Sequence, residues 1–473
     1  MSLKKSNLNK RYIVKKLVNY IGIITLLIAF AGITRAMAQA IPPDMMKRDT
    51  STKADNGNDN DDSDDGNNAN DISTILLAGN KTATFDNTAR YTYIVKNPTN
   101  TKQVGRVSYQ VFTEKGVKLN HQTFAVTIDK KSSGRYDFDI PESKAGFYKV
   151  SFIVNVTDYD DTTRRAFGIR PGELRASHDK PADFDQFWKQ TNTELAEVKP
   201  DFKVTYLPDS TRDNRKVYLF EMKSLGGLTI RGYLTEPKTN NKHKKFAVLL
   251  GLPGYQVGLP PMYGADNDLA IITLNVRGQG NSRDVIHTQR DEYIFYHIED
   301  KYKYVMRGVI MDCVRAIDFI YSRPELNHDQ ILASGGSMGG FLAIATAALD
   351  KRVALCSAQN PILSDVYDLT GEVNWPIDDI NKYIKTKPGL TLDKVLQNLS
   401  YYDTKNFASE IKCPTLIGMG LLDPIIPPNN VYIDYNGVTA KKHLIIFRDL
   451  GHEVGATYKN YEGRWMRDTF GLF

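Results

Sequence analysis

At 473 residues, with 41% hydrophobic and 25% charged residues, the chain is globular and long enough for at least two domains with substantial cores. The formal net charge of +6 is the difference between 61 basic and 55 acidic residues, too even a balance for a phosphate-neutralising surface, which sets nucleic acid aside as a partner. Cys313, Cys356 and Cys413 are odd in number, sit in or beside apolar segments and fall at no metal-ligand spacing, so buried free thiols are expected rather than a disulfide framework or a zinc site.

Residues 1–40 read as a secretory signal peptide. Lys4, Lys5, Lys10, Arg11, Lys15 and Lys16 precede an apolar run from Ile21 to Ala31, and Ala36-Met37-Ala38 supplies small residues for a peptidase. An uncleaved membrane anchor is the alternative, but the run is shorter than the roughly 20 residues of a spanning helix, so cleavage is expected, with no stable membrane insertion after it. A secreted or periplasmic location follows. Residues 41–71, most clearly Thr50 to Asp71, are dominated by Asp, Asn, Ser and Gly, which cannot bury enough apolar surface to offset the entropy of ordering, and read as a linker. Asp61-Asp62-Ser63-Asp64-Asp65-Gly66 opens like a calcium loop, but Ile72 stands where the closing bidentate Glu is required.

Residues 72–170 carry short alternating runs, among them Tyr91 to Val95, Val107 to Phe112, Phe124 to Ile128 and Tyr148 to Val156, separated by turn clusters. This spacing predicts a small β-sandwich of immunoglobulin-like type. Nothing in it looks catalytic, and a structural spacer is the expected role, with carbohydrate binding or protein docking as alternatives.

From Pro171 to Phe473 the pattern changes. Apolar runs at Phe246 to Leu250, Ala270 to Leu274, Ile331 to Ala333, Val353 to Cys356, Thr415 to Met419 and Leu444 to Phe447 suit strands buried on both faces of a mainly parallel sheet. Between them, Val309, Cys313, Ile317 and Ile320 stand at helical spacing within Val305 to Tyr321. The alternation predicts an α/β sheet covered on both sides.

Gly335-Gly336-Ser337-Met338-Gly339 lies directly after the strand at Ile331 and directly before the Ala-rich run Phe341 to Leu349. Such a strand, turn and helix lifts a serine hydroxyl above the carboxyl end of a sheet, so Ser337 is the candidate nucleophile. A base and an orienting carboxylate are expected after later strands, in the order Ser, Asp, His. Asp423, just past the strand ending near Met419, and His452, just past the strand ending near Phe447, fit that order. His443 opens the last strand and is expected at the other end of the sheet, and Glu453 is read as structural. The oxyanion donors are expected from the amides of Met338, next to the nucleophile, and Tyr255, in the loop Gly251-Leu252-Pro253-Gly254-Tyr255.

The chain from about Ala182 to Phe473 resembles the acetyl xylan esterase and cephalosporin C deacetylase family of α/β-hydrolases, carbohydrate esterase family 7. The resemblance lies in Pro181-Ala182-Asp183-Phe184-Asp185-Gln186-Phe187-Trp188, in Arg277-Gly278-Gln279-Gly280, in the serine elbow, in Gly420-Leu421-Leu422-Asp423 with Pro427-Pro428, and in Gly451-His452-Glu453. Met338 stands where the family usually has Gln, and Pro253 where it usually has His, which touches pocket polarity rather than the backbone donors.

The resemblance implies an esterase acting on acetylated xylan fragments and related acetyl esters; with the signal peptide and the serine elbow the chain reads as an exported serine esterase needing no metal or organic cofactor, with Arg277 and Gln279 better suited to bracing the active-site loops than to reacting. It also leaves room for a homo-oligomer, hexamers being common in the family, although an added amino-terminal domain could obstruct that contact. A prolyl-oligopeptidase-like peptidase shares the triad but needs a propeller, for which residues 72–170 are too few; a general carboxylesterase is the other alternative. Since every candidate group follows Pro171, the residues before it are expected to be dispensable for cleaving a small soluble ester.

Overall fold

The computed structural model describes residues 71–472 apart from Asp213, Ala265, Gln289, Glu372 and Asn374. The expected signal peptide and all of the expected linker up to Asn70, with its calcium-like stretch, lie outside the described residues. Contacts within the chain divide it into two units, Met1–Ile75 and Leu76–Phe473. The larger unit carries the β-rich region from Leu76 onward and the large sheet.

The β-rich region consists of β1 (Ser73–Ala78), β2 (Thr84–Phe85), β3 (Thr88–Asn97), β4 (Gln103–Thr113), β5 (Lys118–Ile128), β6 (Ser132–Pro141), β7 (Gly146–Val156) and β8 (Tyr159–Ile169). β3 pairs with β6 in one sheet, and a second sheet has the order β2-β8-β7-β4-β5. Strand alternation explains the core between them. On β3, Ala89, Tyr91, Tyr93 and Val95 are buried on one face, and on β7, Val150, Phe152 and Val154 are buried in the same alternating way. The Tyr91 ring lies 4.8 Å from Phe152 and the Phe138 ring of β6 lies 5.7 Å from it, so the two sheets meet through aromatic contacts. Such pairs contribute about 0.5 to 1.5 kcal/mol each beyond their buried area. The immunoglobulin-like label for this sandwich stays a proposal.

The nine-stranded sheet contains β9 (Lys203–Tyr206), β10 (Arg215–Lys223), β11 (Thr229–Pro237), β12 (Phe246–Leu252), β13 (Leu269–Asn275), β14 (Leu326–Gly336), β15 (Leu355–Gln359), β16 (Thr415–Gly420) and β17 (Lys442–Phe447). Its order is β17-β16-β15-β14-β12-β13-β11-β10-β9. The strands from β17 to β13 run parallel, and β11, β10 and β9 continue the sheet antiparallel. Each predicted parallel strand is present. β13 is buried at every position, as the apolar run from Ala270 to Leu274 implies for a strand covered on both faces.

The helices are α1 (Phe184–Glu197), α2 (Val305–Tyr321), α3 (Met338–Leu349), α4 (Ile377–Lys385), α5 (Leu392–Leu399), α6 (Thr404–Ala408), α7 (Pro428–Gly437) and α8 (Gly455–Phe470). α2 has the bounds the spacing predicts. α1, which begins inside the Pro181 to Trp188 motif, buries Phe184, Phe187 and Trp188, and the Trp188 indole donates to the Tyr401 carbonyl at 3.0 Å. That motif is therefore a packing element. Among the described residues no helix is long and apolar enough to cross a membrane.

Chain order fixes where a ligand can enter. From β12 the chain passes to β13 on one side and then to β14 on the other, so the loops leaving β12 and β14 diverge above the sheet and open a crevice at their carboxyl ends. The first of these loops holds Pro253-Gly254-Tyr255, and the second is Ser337.

Candidate active site

Ser337 occupies the turn between β14 and α3 with φ 59° and ψ −121°. A backbone at that position costs about 1 to 3 kcal/mol and persists only where its surroundings over-determine it. Here they do. The Ser337 amide donates to the Gln359 carbonyl on β15 at 2.8 Å, and its own carbonyl accepts from Gly340 and Phe341 at 3.0 and 3.1 Å. A side chain on Gly335 would stand 2.5 Å from the Gly339 backbone, and one on Gly339 would strike the Leu252 carbonyl. The two glycines that bracket the serine are thus required by the closeness of strand, turn and helix.

Asp423 follows β16. Its Oδ1 accepts the amides of Ile425 and Ile426 at 2.8 and 3.0 Å, which leaves Oδ2 aimed at His452 Nδ1, 2.7 Å away. The aspartate is buried, whereas the His452 ring retains partial exposure. With Nδ1 held by a carboxylate, the proton sits on Nδ1 and Nε2 is left as the acceptor, the tautomer a general base requires.

Ser337 and His452 line one cavity of about 580 Å³, together with Gly254, Tyr255, Trp375 and Ile425 among others. Ser337, Asp423 and His452 are therefore brought to one place, at the carboxyl ends of β14, β16 and β17.

The two expected oxyanion donors flank the same cavity. Met338 is the first residue of α3, where helical amides have no acceptor within the helix and the helix dipole favours negative charge. Gly254 lies against the elbow, a side chain there falling 3.8 Å from the Gly336 carbonyl, and Tyr255 forms the adjoining wall. The Tyr255 hydroxyl accepts the Ile294 amide at 3.2 Å, and its ring packs edge-on against Trp375 at 5.1 Å and Tyr293 at 5.8 Å.

Arg277 and Gln279 stand behind the site. The Arg277 guanidinium grips Asp312 of α2, with Nε to Oδ2 at 3.0 Å and Nη2 to Oδ1 at 2.7 Å, and the Arg277 amide donates to the same carboxylate at 2.9 Å. Gly308 leaves room for this, since a side chain there would run into the guanidinium. Tyr293 closes the arrangement by donating to the Arg277 carbonyl at 2.7 Å, and burial holds its phenol well above the usual range and hence neutral. Gln279 is buried, with Nε2 3.8 Å from the Met338 sulfur, so it packs against the residue expected to carry one oxyanion donor.

Asn360 has no counterpart in the sequence reading. Buried at the end of β15 with φ 37°, it donates to the His452 carbonyl at 2.6 Å and accepts the Gly420 amide at 3.1 Å. One side chain thus ties the histidine loop to the end of β16. The Asn-Pro pair at 360–361 was a visible turn signal, but nothing local indicated which loops it would join.

Other expectations fall differently. Glu453 is exposed and lines the cavity mouth rather than bracing the fold. His443 pairs with Leu416 at the amino end of β17, away from the cavity. Of the aromatics between Pro361 and Asn406, Trp375 lines the site, whereas Tyr383 belongs to a separate cavity, stacked on Phe295 at 4.7 Å and donating to Glu299 at 2.9 Å; burial and that carboxylate push its phenol up to about 12. Cys313 and Cys356 are free, and burial raises both thiols well above their ordinary range, so neither offers a thiolate. Among the described residues no group of three or more His, Cys, Asp or Glu is placed to hold a metal.

A family model described as acetyl xylan esterase matches residues 172–468. The acetyl esterase Axe7A of Xylanibacter ruminicola is 32% identical over 292 residues, covering 59% of this chain and 65% of its own length, so the chain spans less than two thirds of that relative. Acetyl xylan esterase 1 from Thermoanaerobacterium sp. superposes with a TM-score of 0.56 at 26% identity, over 63% of this chain and 97% of its own. An acetyl xylan esterase from Paenibacillus sp. R4 gives the same TM-score of 0.56 at 25% identity, over 63% and 98%. The large sheet with its helices is thus an α/β-hydrolase fold of the esterase kind, preceded by a β-rich region.

Proposed function

Because the chain belongs to the acetyl xylan esterase family, we propose that it is a serine esterase that removes acetyl groups from acetylated xylan, xylo-oligosaccharides and related acetyl esters of the cephalosporin C type. The observation that carries this reading is the 2.7 Å contact from His452 Nδ1 to Asp423 Oδ2 beside a strained serine on the wall of the same cavity.

In the reaction, Ser337 Oγ attacks the acetyl carbonyl carbon while His452 Nε2 takes its proton. The carbonyl π electrons move to oxygen, and the amides of Met338 and Tyr255 receive the oxyanion; each such donor is worth about 10²- to 10³-fold in turnover. Asp423 stabilises the imidazolium through Nδ1–H. Collapse re-forms the carbonyl and breaks the bond to the sugar oxygen, which leaves with the proton from His452. Water then enters, gives a proton to His452, attacks the acetyl-serine and releases acetate, returning the proton to Ser337.

A short acyl group is the expected occupant of this cavity. Tyr255, Trp375 and Ile425 form its apolar wall beside Ser337, and each extra methylene that such a wall rejects is worth roughly 1 to 3 kcal/mol. The peptidase alternative shares the triad, but the described residues ahead of the large sheet form two packed sheets rather than propeller blades. Export rests on the reading of residues 1–40.

The experiment compares kcat/KM on acetyl, butyryl and octanoyl esters of one alcohol with release of acetate from acetylated xylo-oligosaccharides and with cleavage of a peptide amide. Activity is expected to fall steeply with acyl length, with acetate released from the sugar and no peptide cut. Equal values on acetyl and octanoyl esters would make it a general carboxylesterase, and peptide cleavage a peptidase.

A further inference from the structure

β14, which carries Ser337, lies between β12 and β15, but β17, which leads to His452, is the edge strand of the sheet. A base on a loop beyond an edge strand has a neighbour on one side only. It must nevertheless be held to within about 0.5 Å for proton transfer from the serine, and loops are the mobile part of a fold. Asn360 braces this loop from inside the sheet; the other side is met by the β-rich region.

Two groups of contacts make that connection. Arg165 of β8 pairs with Asp449 at 2.8 Å, three residues before His452, with the side chains 27% and 32% exposed. The same carboxylate takes Arg448 Nε at 3.0 Å, and Arg165, Arg448, Asp449 and Tyr91 together enclose a small cavity. The second group reaches the Asp423 loop. That loop runs through Ile425 and Ile426 into α7, whose second residue, Asn429, accepts the Phe147 amide at 2.8 Å and donates to Glu114 Oε2 at 2.7 Å. One turn further on, the Tyr432 ring lies 5.6 Å from Phe147, and at the end of α7 Asn436 donates to the carbonyls of Pro171 and Leu174 at 3.0 and 3.1 Å.

We infer that the β-rich region is a positioning part of the active site: Arg165, through Asp449, and the β4–β7 face, through Asn429, hold the His452 and Asp423 loops in register with Ser337. This rests on the proposed catalytic reading and revises the expectation that residues before Pro171 are dispensable. None of these residues lines the cavity shared by Ser337 and His452. Their effect passes through His452, so their loss acts on the proton-transfer step and not on substrate binding.

The test uses the full chain and 4-nitrophenyl acetate, with active sites counted by stoichiometric phosphonylation so that kcat refers to folded enzyme alone. Arg165→Ala, Asp449→Ala, their double variant, the exchange Arg165→Asp with Asp449→Arg, and Asn429→Ala are compared. We expect kcat per active site to fall about 10-fold in each single variant with KM within about twofold, a displacement of well under 1 Å in a reacting group being enough for such a loss. The double variant should lose no more than either single one, and the exchange should recover most of kcat. A lower active-site count with kcat per site unchanged would overturn the inference, since the contacts would then only stabilise the fold; so would a fall in Arg165→Ala that the exchange does not recover. Ser337→Ala is run alongside. If it is inactive while the tether variants keep full kcat, the tether alone fails; if it is active, the catalytic reading itself fails.

Discussion

The serine and the Asp423–His452 pair reach one cavity from supports built in different ways. Ser337 follows an interior strand, in a turn so crowded that Gly335 and Gly339 have no room for a side chain, and its main supports are β14, β12, β15 and the helix α3 that follows it. The acid and base sit on loops from the outermost two strands, held on one side by Asn360 and on the other by contacts with the β-rich region. Local crowding fixes the nucleophile. Long-range contacts fix its partners, and these can be altered without touching the reacting atoms.

Substitutions on the two supports should therefore fail differently. The largest expected effect is at the acid. In Asp423→Asn, the side-chain oxygen would keep the Ile425 and Ile426 amides, so the amide nitrogen would face His452 Nδ1 and donate to it. That drives the ring proton to Nε2, the wrong tautomer for a base. We expect kcat to fall about 10⁴-fold with the melting temperature nearly unchanged, measured on 4-nitrophenyl acetate and by circular dichroism. A loss of less than about tenfold would mean that the contact does not set the tautomer.

The elbow should show the opposite behaviour. Gly339→Ala drives a methyl group into the Leu252 carbonyl, whereas at Gly254 the nearest atoms are 3.5 and 3.8 Å away. Overpacking of this kind costs about 1 to 3 kcal/mol, so Gly339→Ala should lower the melting temperature and the fraction of active sites, while Gly254→Ala should leave the melting temperature within error. Equal melting temperatures for the two variants would remove the crowding argument.

The same contrast explains what was legible in the sequence. The elbow is local, with strand, turn and helix in one unbroken stretch from Leu326 to Leu349, and Gly335 to Gly339 exposed it. The parallel strands were legible because burial on both faces leaves continuous apolar runs such as Ala270 to Leu274. Asp423 and His452 followed from chain order once the serine was placed. By contrast, β6 and β8 are rich in Ser, Thr, Asp and Arg on their outward positions, so composition hid them, and β9 to β11 lie in mixed sequence whose pairing depends on neighbours. Asn360, Arg165 and Asn429 were invisible for a stronger reason. A buried asparagine or a half-buried arginine has no signature of its own, and its role exists only in the contact it makes with a distant loop.

The central claim, that Ser337 is activated by His452 and Asp423, is tested most directly by treating the full chain with diethyl 4-nitrophenyl phosphate and locating the adduct by peptide mass spectrometry. The account predicts a single stoichiometric adduct on Ser337, loss of acetyl ester hydrolysis in proportion to labelling, and labelling slowed by orders of magnitude in His452→Ala. An adduct on any other residue that tracks the loss of activity, or full activity with Ser337 completely modified, would contradict it.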